Sequence, residues 1–142
     1  MILYLDTSAF LKLFIAEPES ESVQTAASRA EAVATHLITY AELRAAFAKA
    51  MRMGRETPET LLLHKEELDR QWKDLMILMP DEATVFRAGE LAERFGLRGY
   101  DSVHLAAAEA IFLRIRNRIG FKMAVYDTRL GGAAKTLGLE VL

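Results

Sequence analysis

Short apolar runs alternate with helix-length amphipathic segments from one end of this chain to the other. Ile2 to Leu5, Ala32 to Ala34, Met76 to Met79 and Met123 to Tyr126 read as strands, and Leu139 to Leu142 as a fifth, edge strand. Between them, Ser8 to Ile15, Glu19 to Arg29, Thr39 to about Met53, Pro58 to about Leu75, Pro80-Asp81 to Phe95 and Gly99 to about Arg116 read as helices, with Asp127 to Leu137 as the last. Pro58 after Thr57 starts one helix, and Gly54 and Gly138 stop others. Strands alternating with helices imply a parallel sheet covered on both faces. The expected fold is α/β, with three α/β/α layers around a central parallel sheet of four to five strands. At 142 residues, 51% of them hydrophobic, the chain is sized for a single domain over residues 1–142.

In open parallel sheets, ligands collect beyond the carboxyl ends of the strands. Asp6 and Asp127 each directly follow a predicted strand, and Glu42 and Asp101 fall in the first turns of predicted helices. All four acids can therefore share one edge. Each also has an ordinary explanation. Asp is a favoured N-cap, and Glu42 occupies the third helical position of a Thr39-x-x-Glu42 capping box, where it can bond back to Thr39. Together the caps explain less. Thr7, Ser8 and Thr128 are available to cap instead, and Asp6 ends an apolar run, where an unpaired charge is costly. Carboxylates gathered in one pocket repel, and a divalent cation relieves that repulsion. The chain has no cysteine and three histidines, so an oxygen-rich cluster suits a hard cation, Mg²⁺ or Mn²⁺. That chemistry points to phosphodiester hydrolysis.

Charge sets limits on a nucleic-acid partner. The net charge is −2 with a sequence pI near 5.9, so RNA binding needs a local basic patch or screening metals. Lys49 lies seven residues after Glu42, on nearly the same helical face. Arg114, Arg116, Arg118 and Lys122 form a second basic group. Lys49, Arg114 and Arg116 are the candidate RNA contacts. The amino terminus has no basic region before its apolar run, which argues against a signal peptide, and no stretch approaches the ~20 apolar residues of a membrane span. With no cysteine, the composition fits the cytoplasm. A dinucleotide enzyme would need a Gly-rich turn after the first strand, which Asp6-Thr7-Ser8-Ala9 lacks. A haloacid-dehalogenase-type phosphatase would need an Asp where Ser8 stands.

Four segments resemble the motifs of a PIN domain, and more narrowly those of a VapC-type toxin of a bacterial or archaeal toxin–antitoxin pair. They are Leu3-Tyr4-Leu5-Asp6-Thr7-Ser8-Ala9, Thr39-x-x-Glu42, Tyr100 to Ala108 and Val125-Tyr126-Asp127-Thr128-Arg129-Leu130. The resemblance covers essentially the whole chain. It implies a PIN-like α/β/α fold, usually a homodimer, with Asp6, Glu42, Asp101 and Asp127 binding Mg²⁺ or Mn²⁺ and Ser8 as accessory hydroxyl. It also implies endoribonuclease activity blocked by a cognate antitoxin. The stretch from Arg114 to Lys122 looks longer and more basic than is usual for the family.

Asp6 and Asp101 are the first choices as direct ligands, with Asp127 next. Glu42 has three readings: direct ligand, ligand through a water, or orienter of the attacking water. In-line attack by water, leaving a 5′-phosphate and a 3′-hydroxyl, is the simplest route with no His or Ser nucleophile system in view. Lys12, on the helix after Asp6, has a reading as a phosphate or carboxylate partner and another as solvated surface. His104, three residues after Asp101, is read as structural or as a general acid or base. The apolar stripes of the Glu19–Arg29 and Pro58–Leu75 helices offer a dimer or antitoxin surface. The alternative function is a non-catalytic RNA-binding or regulatory PIN module.

Overall fold

Every side chain of the first strand, β1 (Ile2–Leu5), is buried, and the strand divides its side chains between two layers of helices. Ile2 and Tyr4 pack with α5 (Glu82–Phe95), α6 (Gly99–Ile115) and α7 (Thr128–Thr136). Leu3 and Leu5 pack on the other face with α1 (Thr7–Leu11), α2 (Ser20–Arg29), α3 (Ile38–Arg52) and α4 (Pro58–Trp72). This alternation is the period-2 geometry of a strand buried on both sides. The structure is a computed structural model and describes residues 1–115 and 118–142.

The sheet has four parallel strands in the order β3-β2-β1-β4, with β2 at Ala32–His36, β3 at Met76–Leu78 and β4 at Phe121–Ala124. The chain leaves β1 to build one half of the sheet and returns to its other side as β4. The strand order therefore reverses beside β1, where Asp6 emerges. No helix among the described residues is long and apolar enough to cross a membrane.

Several expected boundaries move. β4 starts at Phe121 rather than Met123, because its register on β1 runs from Ile2↔Phe121 to Leu5↔Ala124 and pairing ends where β1 ends. Asp127 is thus three residues beyond its strand, not next to it. The expected fifth strand reduces to a single bridge, Met123↔Val141, held by bonds from Met123 N–H to Glu140 O and from Leu142 N–H to Met123 O. The first helix ends at Leu11, not Ile15. Leu13 and Phe14 donate to the carbonyls three residues back, and Phe14 turns in to meet the Phe47 ring at 5.2 Å. The stripe of the fourth helix packs inward at Leu68, while Leu62 and Leu63 beside it remain exposed.

Gly96 closes α5 with φ at +64°, and its carbonyl accepts from Arg129 Nη1 at 2.9 Å, tying the α5–α6 turn to α7. A Cβ there would adopt a left-handed backbone and meet Arg129 Nη1 at 3.3 Å. Gly96→Ala is expected to cost roughly 1–2 kcal/mol. Urea unfolding reads this as a lower midpoint at unchanged slope.

Candidate active site

Asp6 is an N-cap whose carboxylate is almost wholly buried. Its Oδ1 accepts from Ala9 N–H at 2.7 Å and from Ser8 Oγ at 2.9 Å, and Oδ2 accepts from the same hydroxyl at 3.1 Å. Burial pushes this carboxyl above its ordinary range. The Ala9 N–H, His104 and Ser8 pull it back, and Asp101 pushes it further up. Ser8 thus donates to both oxygens of Asp6.

Glu42 is placed by a different device from the one its spacing suggests. Leu37, not Thr39, precedes the first turn of α3, with no side-chain cap. Thr39 reaches back to β2, 2.7 Å from Thr35 Oγ1, while Thr35 donates its own proton to Leu5 O at 2.8 Å. That leaves Thr39 as the donor to Thr35. The Glu42 carboxylate turns inward instead. Its Oε1 accepts from Thr7 Oγ1 at 2.7 Å and lies 2.9 Å from His104 Nε2. Burial raises the Glu42 carboxyl, but the hydrogen bonds from His104 and Thr7 and the nearby imidazoles outweigh it and hold the group below the usual carboxylate range.

Asp101 lies in the first turn of α6 and accepts from Arg98 Nε at 3.0 Å. Arg98 also feels the charge of Asp127, which caps α7 by accepting from Leu130 N–H at 2.8 Å. Glu42, Arg98 and Asp101 border one cleft of about 630 Å³. Thr7 and His104 thus meet at Glu42, and Arg98 stands on Asp101 within reach of the charge of Asp127, while Asp6 feels the charges of His104 and Asp101.

The donor set suits a hard divalent ion: carboxylate oxygens from four chain positions, in a chain with no cysteine thiolate. Among the described residues no protein donor reaches Glu42 Oε2, Asp101 Oδ1 or Asp127 Oδ2, so each of these acids keeps a free oxygen. The spacing is open, however. Among the described residues no three His, Asp or Glu side chains stand close enough to grip an ion together.

The other candidates are dispersed. Lys12 is buried rather than solvated, and its ammonium donates to Pro18 O at 2.8 Å and pairs with Glu17 and Glu19, not with the four acids. Lys49 is exposed, about 10 Å along α3 from Glu42. Arg114 is exposed at the far end of α6, about 20 Å along the helix from Asp101. Arg116 lies outside the described residues. Thr7, Tyr4 and Arg98 were not flagged by sequence reading. Each stands within three residues of one of the four acids, Tyr4 and Thr7 beside Asp6 and Arg98 before Asp101.

The fold is a four-stranded parallel sheet between two layers of helices, with Asp6 capping the helix after β1 and Asp127 the helix after β4. The PIN domain family model matches residues 3–130. Ribonuclease VapC45 of Mycobacterium tuberculosis is 34% identical, over 99% of this chain and 94% of that protein. FitAcB from Neisseria gonorrhoeae has a similar fold, with a TM-score of 0.66 at 22% identity over 100% of this chain and 96% of that one. A toxin–antitoxin complex from Klebsiella pneumoniae gives 0.60 at 19% identity over 89% and 87%. The chain belongs to the PIN domain family, in its VapC-type branch.

Proposed function

We propose that this protein is a metal-dependent endoribonuclease, the toxin of a cytoplasmic toxin–antitoxin pair, held in check by a cognate antitoxin and working as a homodimer. The observation that carries the reading is that Glu42 and Asp101 border one cleft, each with an oxygen that no protein donor reaches among the described residues; Asp6 and Asp127, each capping the helix that follows a strand, complete the proposed set. Similarity to ribonucleases named VapC and to a toxin–antitoxin complex supports the substrate and partner. Asp6, Asp101, Asp127 and Glu42 would hold Mg²⁺ or Mn²⁺, which when bound lowers the pKa of water and offsets charge on the phosphoryl oxygens.

The chain's own residues prepare that site. Ser8 and the Ala9 N–H anchor Asp6 so that its carboxylate enters the site from a fixed direction. Thr7 and His104 hold one oxygen of Glu42. Arg98 covers Asp101 and brings a positive charge to where a phosphate would approach, with Lys49 further along the same side as a backbone contact. Attack by water in line with the scissile bond leaves a 5′-phosphate and a 3′-hydroxyl.

The test is RNA cleavage by the purified full chain. Cleavage is expected to fall to background in EDTA and to return on adding excess Mg²⁺ or Mn²⁺. Undiminished cleavage in EDTA would remove the metal from the mechanism. RNA binding without cleavage under any metal would favour the non-catalytic module instead.

A further inference from the structure

Behind Glu42 a buried chain of polar groups runs past His104 to Tyr4, which the proposed reaction does not use. His104 is 2% exposed, on the inward face of α6 among alanines and leucines. Both of its ring nitrogens have partners. Nδ1 lies 2.9 Å from the hydroxyl of Tyr4, itself fully buried on β1, and Nε2 lies 2.9 Å from Glu42 Oε1 and 3.2 Å from Thr7 Oγ1.

The direction of these bonds follows from the donors available. A phenol keeps its proton at neutral pH and can donate it to a ring nitrogen. A neutral imidazole that accepts at Nδ1 carries its proton on Nε2, and that N–H has an ionised carboxylate in front of it. Thr7 donates to the same Glu42 oxygen at 2.7 Å. The order is Tyr4 O–H to His104 Nδ1, then His104 Nε2–H to Glu42 Oε1, with Thr7 O–H joining at that oxygen. Two donors on Oε1 fix the carboxylate plane, and Oε2 is left without a protein donor among the described residues.

We infer that Tyr4 and His104 are positioning residues. They clamp Glu42 through Oε1 and present Oε2 to the cleft that it shares with Asp101. The inference rests on the metal-nuclease reading and assigns Glu42 a fixed orientation within it. Any buried imidazole needs partners for its ring nitrogens; what sets His104 apart is that one of its bonds ends on a carboxylate of the proposed site. Hydrogen bonds that orient ligating carboxylates typically govern ~10–100-fold of metal affinity or activity.

The experiment compares His104→Leu, His104→Gln and Tyr4→Phe with the wild-type full chain. Two readouts are used: Mn²⁺ binding by calorimetry and kcat and KM for RNA cleavage, with melting curves to confirm folding. Leu keeps the bulk and removes the donor; Gln keeps a donor near the Nε2 position. His104→Leu is expected to weaken Mn²⁺ binding and lower kcat by ~10–100-fold with little change in KM. His104→Gln should recover most of both, and Tyr4→Phe should fall between Leu and wild type. The inference is overturned if His104→Leu matches wild type in both readouts. It is equally overturned if folded Leu and Gln variants lose the same amount, which assigns His104 to packing. A folded wild-type chain that neither binds Mn²⁺ nor cleaves RNA would instead sink the nuclease reading beneath it.

Discussion

Asp6→Asn is expected to lower RNA cleavage by roughly 10³-fold while raising the melting temperature of the metal-free protein at neutral pH. The loss follows from removing a charged ligand whose ion supplies several kcal/mol to the transition state, at about 1.4 kcal/mol per tenfold in rate. The gain follows from burial. The Asp6 carboxyl is raised from its ordinary value of 3.8, chiefly by burial, so the fold favours the protonated form. A group whose folded pKa is raised contributes stability below its unfolded pKa, and that contribution is lost as pH rises through the folded value. Ionised Asp6 therefore costs stability at pH 7. Asparagine carries no charge and keeps an oxygen to accept from Ala9 N–H, the 2.7 Å bond that caps α1. In EDTA the variant should melt higher than wild type at pH 7, and the gap should close as pH falls toward 4. A variant that cleaves like wild type would refute the site. One that melts lower at every pH by the same margin would refute the burial argument. A merely misfolded variant would lose activity and stability together, so the opposite signs make the pair of measurements decisive.

The contrast between Asp6 and Glu42 shows what local sequence can and cannot encode. Asp6 ends an unbroken apolar run, so both the strand and its charged stop were visible, and with them the parallel sheet and the edge at which Asp6 emerges. Glu42 carried an equally clear local pattern, Thr39-x-x-Glu42, yet the structure sets it aside. Thr39 is taken by Thr35 on β2, and Glu42 by Thr7 and His104. Those partners are 35 and 62 residues from Glu42 along the chain, and Tyr4 and His104 are 100 apart. No helical or strand period spans such distances; only the sheet order β2-β1-β4 and the passage of α6 across it bring them together. The β4 boundary shifted for the same reason, because the end of pairing is set by the neighbouring strand rather than by the apolar run itself. Neither reading of Lys12 named its partners, because they come from a turn, Glu17 to Glu19, whose path depends on where α1 stops.

Phe47→Ala should be the most damaging single change to the fold. Phe47 is fully buried on α3, with Phe14 edge-on at 5.2 Å and His64 tilted at 5.3 Å, and it joins α1, α3 and α4 beneath β1. Truncating a buried Phe costs roughly 3–5 kcal/mol from lost burial plus the cavity left behind. Against a total of about 5–15 kcal/mol for a domain, that is a large share. For a chain of 142 residues it corresponds to a fall in melting temperature of about 10–15 °C. Phe47→Leu refills most of the space and should cost less than half as much. The change also reaches the site, since Phe47 lies five residues beyond Glu42 on the same helix and its packing sets how α3 sits on β1. Below its melting temperature, folded Phe47→Ala should therefore also cleave RNA more slowly, because small displacements of a positioned group are costly in rate. Denaturant unfolding within about 1 kcal/mol of wild type would mean that α3, and Glu42 with it, is held by the Thr7 and His104 bonds and not by the core. A large loss of stability with kcat unchanged in the folded fraction would mean that those bonds alone hold Glu42 in place once the core beneath it has loosened.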